Sequence, residues 1–381
     1  MRTLAVVGGG VIGLAVAWRA AAQGWTVTLH DPAVASGASW VAGGMLAPLS
    51  EGWPGEEAVF DFGAASLARW PGFAADLRTA TGVDVFTADA TLTVALDAAD
   101  AADLRTVADF AATASTLWTA GDNFTEPESM RLLNRAEVRA AEPGLARTIR
   151  AGLLSPREPA VDNRLLVGAL RQAAEQAGVR FVAAAVDDLA SLESDRIVLA
   201  AGAASARLWP GLPVRPVKGE ILRLRQRPGA LPPPRHVVRA RVHGRSVYLV
   251  PRADGMVVGA TQYEAGFDTE VTVAGVRDLI ADAEAVFPAL GEYEFAEVSA
   301  AGRPVTPDNL PLLGPLDDRV LAATGNGRNG ILGVPLSVDA VLSALAGSTL
   351  DDAKAADPHR FPGVAAALPG ETFTPAAPGG Q

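Results

Sequence analysis

Cysteine is absent from all 381 residues. Disulfides, thiolate metal sites, redox-active cysteine pairs and a flavin tethered through a cysteine sulfur are therefore excluded. Histidine occurs only as His30, His236, His243 and His359. No two of these have zinc-site spacing, so metal catalysis is not expected. Positive charge is in deficit: 32 Lys and Arg against 43 Asp and Glu give a formal net charge of -11. That balance argues against nucleic acid or an anionic membrane as the main partner. No apolar run reaches membrane-spanning length, and the cytoplasm is the expected compartment. The remaining composition, 49% hydrophobic and 20% charged, is that of a globular protein with room for two domains.

Glycine, by contrast, is concentrated where it has a mechanical use. Gly8, Gly10 and Gly13 separate a short apolar strand, Leu4 to Val7, from a helix over Val11 to Gln23 that stops at Gly24. A second strand, Trp25 to His30, ends at Asp31. This order reads as the βαβ unit that binds the ADP half of a dinucleotide. Gly8 allows the tight turn, Gly10 the approach of backbone to pyrophosphate, and Gly13 close helix–strand packing. The helix start offers free N–H groups to phosphate, and Asp31 offers a carboxylate to a ribose. The apolar N-terminal stretch thus reads as core, not as a signal peptide. Gly325, Gly327 and Gly330 repeat the glycine spacing, but Pro335 follows closely and no second strand ends in an acid. No second nucleotide site of this kind is expected there.

Elsewhere, helix-like and strand-like segments alternate. Phe62, Leu67, Trp70, Phe73 and Leu77 predict an amphipathic helix over Phe60 to Thr81, kinked or divided at Pro71. Helices are also expected over Ala98 to Ala114, Asp162 to Gln176, Arg277 to Phe287 and Ser337 to Leu345. Strands are expected over Thr91 to Leu96, Arg180 to Ala184, Arg196 to Ala200 and Val320 to Ala323. From Val214 to Ala260 short strands between Pro/Gly turns predict an antiparallel sheet, a separate substrate layer. Beyond Asp351 the chain turns rich in Pro, Gly and Ala, and residues 365–381 are expected to be mobile.

Longer motifs narrow the reading. They are GGGVIGLAVAWRAAAQGW from Gly8, Ser36–Ser39, Ala42–Pro48, Glu142–Leu145, Val161–Arg164, Leu199–Gly202, Pro213–Gly219 and Val247–Arg252. Gly302–Asp308, Leu310–Gly314 and Thr324–Leu332 complete the set. Together they resemble the glycine oxidases of thiamine biosynthesis, within the D-amino acid oxidase superfamily of flavoproteins, over nearly the whole length.

The resemblance implies an α/β fold with a discontinuous Rossmann-like FAD-binding domain from residues 1–82, 146–212 and 300–350. An α+β substrate domain on an antiparallel sheet would come from 83–145 and 213–299, leaving 351–381 as a partly disordered tail. It implies non-covalent FAD and oxidative deamination of glycine and other small amino acids. Hydride would pass from the α-carbon to flavin N5, giving an imine, then glyoxylate and ammonia, with hydrogen peroxide from oxygen. The imine would feed thiazole synthesis, and the enzyme would be a homo-oligomer.

In that reading Arg303 forks onto the substrate carboxylate, which a guanidinium holds best. Tyr248 adds a hydroxyl, and Arg328 stands near the substrate or else anchors its loop by a salt bridge. Cofactor contacts are expected from Gly8, Gly10, Val11, Ile12, Gly13, Asp31, Ser39, Gly43, Gly44, Met45, Val182, Ala201 and Gly202. Gly302, Arg303, Gly327, Arg328, Asn329, Gly330, Ile331 and Leu332 complete that set. The 325–330 glycines would wrap backbone around the isoalloxazine, and the following helix would aim its N-terminus at the N1–C2=O edge, where reduction places negative charge. Asn326 and Gly327 stand where relatives often carry His and an aromatic, implying a more open loop. Gln262 replaces a familiar methionine, implying a more polar pocket. A D-amino acid or sarcosine oxidase or dehydrogenase shares the same clamp. A non-catalytic flavoprotein subunit and an NAD-dependent dehydrogenase are the alternatives of another class.

Overall fold

The computed structural model describes residues 2–118 and 130–365; the segment 366–381, most of the stretch expected to be mobile, lies outside them. Two sheets organise the chain. The first has six strands in the order Leu312–Pro315, Val320–Thr324, Arg196–Leu199, Thr3–Val7, Thr26–His30 and Arg180–Val182. All its pairings are parallel except that of Leu312–Pro315 with Val320–Thr324. Its central strands are continuously apolar because both faces are covered, as parallel sheets require. Helix Val11–Ala22 is buried along most of its length. It packs against helices Asn163–Gln176 and Val334–Leu345, the latter joined by Glu57–Thr81.

The second sheet has eight strands: Glu294–Val305, Arg215–Arg225, Gly255–Gly259, Arg245–Arg252, Val237–Val242, Thr91–Ala95, Ala151–Ser155 and Arg131–Asn134. It is antiparallel except where Val237–Val242 meets Thr91–Ala95. Side chains alternate between its faces with period two. Leu222, Leu249 and Val258 face helix Val273–Val286, packing on Leu279, Ala283 and Val286. Their sequence neighbours Ile221, Tyr248 and Gly259 fall on the opposite face, which looks towards the six-stranded sheet. Residues 151–155 and 300–305, read from the resemblance with the nucleotide-binding segments, pair within this eight-stranded sheet.

Several elements differ from the sequence reading. Helix Glu57–Thr81 runs unbroken through Pro71. Pro71 is exposed, so the carbonyl it leaves unbonded lies on the solvent side, while Trp70, Phe73 and Leu77 hold the buried face. Helix Val273–Val286 begins before Arg277 because Thr272 caps it, its hydroxyl accepting from Gly275 N–H. Helix Val334–Leu345 takes Pro335 into its first turn, where no N–H is needed. Residues 351–365 form three short helical segments with Ala353, Ala356 and Val364 buried, rather than the start of a loose tail.

Candidate active site

A cavity of about 1270 Å³ lies between the two sheets and is lined by residues from both ends of the chain. One end is the glycine turn. Gly8 has a φ of +109°, and a β-carbon there would overlap the Ala200 carbonyl. A β-carbon on Gly13 would overlap the Gly8 carbonyl, so Gly13 closes the helix onto the strand and does not itself line the cavity. No side chain caps the helix at Gly10. Val11 N–H donates to Ser39 Oγ at 2.9 Å. Asp31 lines the cavity while its carboxylate accepts from the Gly9 N–H at 2.6 Å and the Ala33 N–H at 2.7 Å. It therefore also braces the turn. The Asp31 N–H donates to the Val182 carbonyl, and Val182 stays off the cavity wall.

The middle of the wall is the segment Ser39–Met45, held from behind by a polar cluster. Asn163 Nδ2 donates to the carbonyls of Ser39 at 2.9 Å and Trp40 at 2.8 Å. Arg252 donates to the Gly43 carbonyl at 2.8 Å and pairs with Asp162 at 3.2 Å. Burial pulls the Arg252 guanidinium down to about 10, against the opposing pull of Asp162. Sequence reasoning marked Asn163 and Arg252 only as motif members and gave them no job. They hold the backbone that borders the cavity. Gly44 has a φ of +84°, and a β-carbon there would overlap the Val161 carbonyl.

Tyr248 and Arg303 form the other end. The phenol lies between Gly43 and Gly259: a β-carbon at 43 would come within 2.9 Å of the ring, and one at 259 would overlap it. Burial pushes the Tyr248 hydroxyl up, and the nearby Arg303 charge opposes that shift. The Arg303 guanidinium lies over Gly219, where a β-carbon would overlap it, and donates to the Thr261 carbonyl at 3.2 Å. Among the described residues it pairs with no carboxylate. Gln262, next along the chain, is exposed on the cavity wall.

The 325–330 turn adds Asn326 to Ile331 to the wall. Arg328 lines it too, but its guanidinium is held by Glu51 at 3.1 Å and Glu56 at 3.0 Å. Of its two sequence readings, the loop-anchoring one is what the geometry displays. Leu332 is off the wall; its carbonyl accepts from Ser66 Oγ at 2.7 Å and Trp70 Nε1 at 2.9 Å. Glu158, which no motif singled out, is fully buried beneath the Leu49–Glu51 segment. Its Oε1 accepts from the Leu49 N–H and from the Ser50 N–H at 2.9 Å. Desolvation pushes its carboxyl up to about 7. Among the described residues no cluster of His, Asp and Glu could hold a metal ion, and no helix is long and apolar enough to cross a membrane.

A helix start whose Gly10 brings no capping side chain, with the Val11 N–H taken by Ser39 and glycines that admit close backbone approach, fits the pyrophosphate of a dinucleotide. Ser39–Met45, Ala201, Gly202 and Asn326–Ile331 border the space beyond it. The comparisons agree. Residues 3–341 match the family model for FAD dependent oxidoreductases. A bifunctional ThiO/ThiG protein of Synechocystis is 33% identical over 354 residues, covering 87% of this chain and 50% of that protein. The chain thus spans about half the length of that relative. A putative thiamine biosynthesis oxidoreductase ThiO of Rhizobium etli is 33% identical over 88% of this chain and 93% of its own length. The crystal structure of glycine oxidase from Geobacillus kaustophilus superposes with a TM-score of 0.80 at 28% identity, covering 94% of this chain and 98% of that one. The match along nearly the full length of the chain and the glycine cradle in the structure lead to one conclusion: the chain belongs to the DAO family of FAD-dependent oxidoreductases.

Proposed function

We propose that the chain oxidises glycine and other small amino acids to the imine, with oxygen as electron acceptor. The observation that carries this is the Arg303 guanidinium, which pairs with no carboxylate among the described residues and lies beside the Tyr248 hydroxyl in the same cavity as the glycine cradle. FAD, when bound, supplies the hydride acceptor at N5. The N-terminus of helix Val11–Ala22 would hold its phosphates, and Ser39–Met45 with Asn326–Ile331, which line the same cavity, would border its ring. Arg303 forks onto the substrate carboxylate, and Tyr248 donates to one of its oxygens. Two anchors fix the substrate's orientation, and orientation is most of what such a transfer asks of the protein. Gly43 and Gly259 set the phenol's place between them. Because Arg328 is neutralised by Glu51 and Glu56, the carboxylate is directed to Arg303.

The relatives carrying thiamine-biosynthesis names support a role in supplying the imine for thiazole formation. A cytoplasmic homo-oligomer is part of the same proposal. The sarcosine or D-amino acid reading is the second one, favoured by the open wall at Gly327, where even an added β-carbon would meet nothing within 4 Å. The test is anaerobic mixing of purified yellow protein with glycine, sarcosine and D-alanine, followed at the flavin absorbance. Fast bleaching by glycine, with peroxide formed once air is admitted, is the expected result. Faster bleaching by sarcosine or D-alanine selects the second reading. Flavin that no amine reduces overturns both.

A further inference from the structure

Beyond Tyr248 the cavity wall carries more charge than a glycine site needs. Arg239 is the direct cross-strand partner of Tyr248, so it stands on the same face one strand farther from Arg303. Its guanidinium pairs with Glu51 Oε1 at 3.0 Å. The other oxygen, Glu51 Oε2, pairs with Arg328 at 3.1 Å, and Arg328 continues to Glu56. Glu51 is thus shared by two arginines that both line the cavity, and its side chain is only 15% exposed. Among the described residues Arg239 otherwise hydrogen-bonds the Ser50 carbonyl and hydroxyl, at 3.4 and 3.2 Å, and its charge is felt by the buried Glu158. Two Arg and two Glu leave this chain of ion pairs neutral.

We propose that Glu51 determines specificity by charge: it screens Arg239 and Arg328 and so denies a second carboxylate-binding position to acidic amino acids. This rests on the amino acid oxidase reading and deepens it. With Glu51 in place, a substrate anchored on Arg303 through its α-carboxylate finds no cation with spare charge for a distal carboxylate, and must bring that group up to Glu51 itself. Without the Glu51 charge, Arg239 keeps Ser50 and the charge of the buried Glu158 behind it, while Arg328 keeps Glu56. The wall gains one positive charge within a strand's width of Tyr248. A low-dielectric cavity makes such a charge far more effective than it would be in water.

The test compares the wild-type holoenzyme with Glu51→Gln, Glu56→Gln and the double variant Glu51→Gln/Arg239→Met. Two ratios are read: kcat/KM for D-aspartate against glycine, and Kd for malonate against acetate from titration of the flavin spectrum. Glu51→Gln should raise the D-aspartate preference at least tenfold and tighten malonate relative to acetate by a similar factor. Both gains should shrink with added salt. Glu56→Gln should give a smaller gain, because its carboxylate touches only Arg328. The double variant should lose the gain, which a merely loosened cavity would not. Ratios unchanged within threefold in Glu51→Gln, or a gain that survives removal of Arg239, overturn the proposal. If no amino acid reduces wild-type flavin, the oxidase reading fails, and the malonate-to-acetate ratio still decides the role of Glu51.

Discussion

Tyr248 and Gly259 are direct cross-strand partners, and the phenol occupies the space that a β-carbon at 259 would fill. The hydroxyl's place beside Arg303 is thus set by the absence of one methyl group two strands from the sheet edge. Gly259→Ala should displace the ring. The expected result is a fall in kcat/KM for glycine of at least the size seen in Tyr248→Phe, with flavin content retained. Tyr248→Phe removes one hydrogen bond to a charged group, ~2 kcal/mol or roughly 30-fold. Steady-state kinetics with an absorbance ratio for bound flavin check both. A Gly259→Ala enzyme with wild-type kinetics would show that the phenol does not act on the substrate.

Arg303→Lys replaces a planar fork with a point charge. Substrate KM should rise about tenfold or more, with flavin content unchanged, since the Arg303 guanidinium lies over Gly219 and donates to the Thr261 carbonyl, well along the chain from the glycine turn at residues 8–13. Rapid-mixing reduction at increasing glycine concentration separates the loss of affinity from any loss of rate.

Gly13→Ala acts at the opposite end. Its methyl would overlap the Gly8 carbonyl, forcing the helix off the strand and widening the phosphate cradle. Overpacking of this kind costs about 1–3 kcal/mol, so the variant should fold with a lowered Tm. It should purify with little yellow colour, recoverable in part by excess FAD. Full flavin occupancy after gel filtration would contradict the assignment of the cradle.

Two buried or clamped carboxylates give opposite pH effects. Glu158 is raised from 4.5 to about 7 by burial. The folded state therefore holds its proton more tightly than the unfolded chain, and that stabilisation is complete below 4.5 and lost as pH rises through about 7. Glu297 is lowered from 4.5 to about 2, chiefly by its hydrogen bonds from Arg164. Its stabilisation is present above 4.5 and fades as pH falls towards 2. Glu158→Gln keeps an acceptor for the Leu49 and Ser50 amides without the titration. Its Tm, relative to wild type, should rise between about pH 5 and about pH 8. Parallel Tm curves for the two proteins would rule out Glu158 as the titrating group.

What the sequence disclosed and what it hid have a common physical basis. The strand–glycine–helix–strand unit was readable because each signal lies within a few residues of the next, and the same local periodicities placed most helices and strands. Arg303 and Tyr248 were readable only through longer motifs, since nothing local distinguishes them from surface arginine or strand tyrosine. Their meeting depends on the register that puts Val217 opposite Arg303 and Gly259 opposite Tyr248. The contacts of Arg252 with Gly43, of Asn163 with Trp40 and of Arg328 with Glu51 join segments far apart in the chain. No spacing rule reaches such pairs. The same limit applied to Pro71, whose effect depended on which side of the helix met water.

Gly8 and Ile331 border one cavity, although nearly the whole length of the chain separates them. A polypeptide leaving the ribosome has no closed chamber for its coenzyme until the Thr324–Leu332 stretch has emerged and docked. Flavin capture must then wait for that stretch, and translation products that stop short of it should come out colourless.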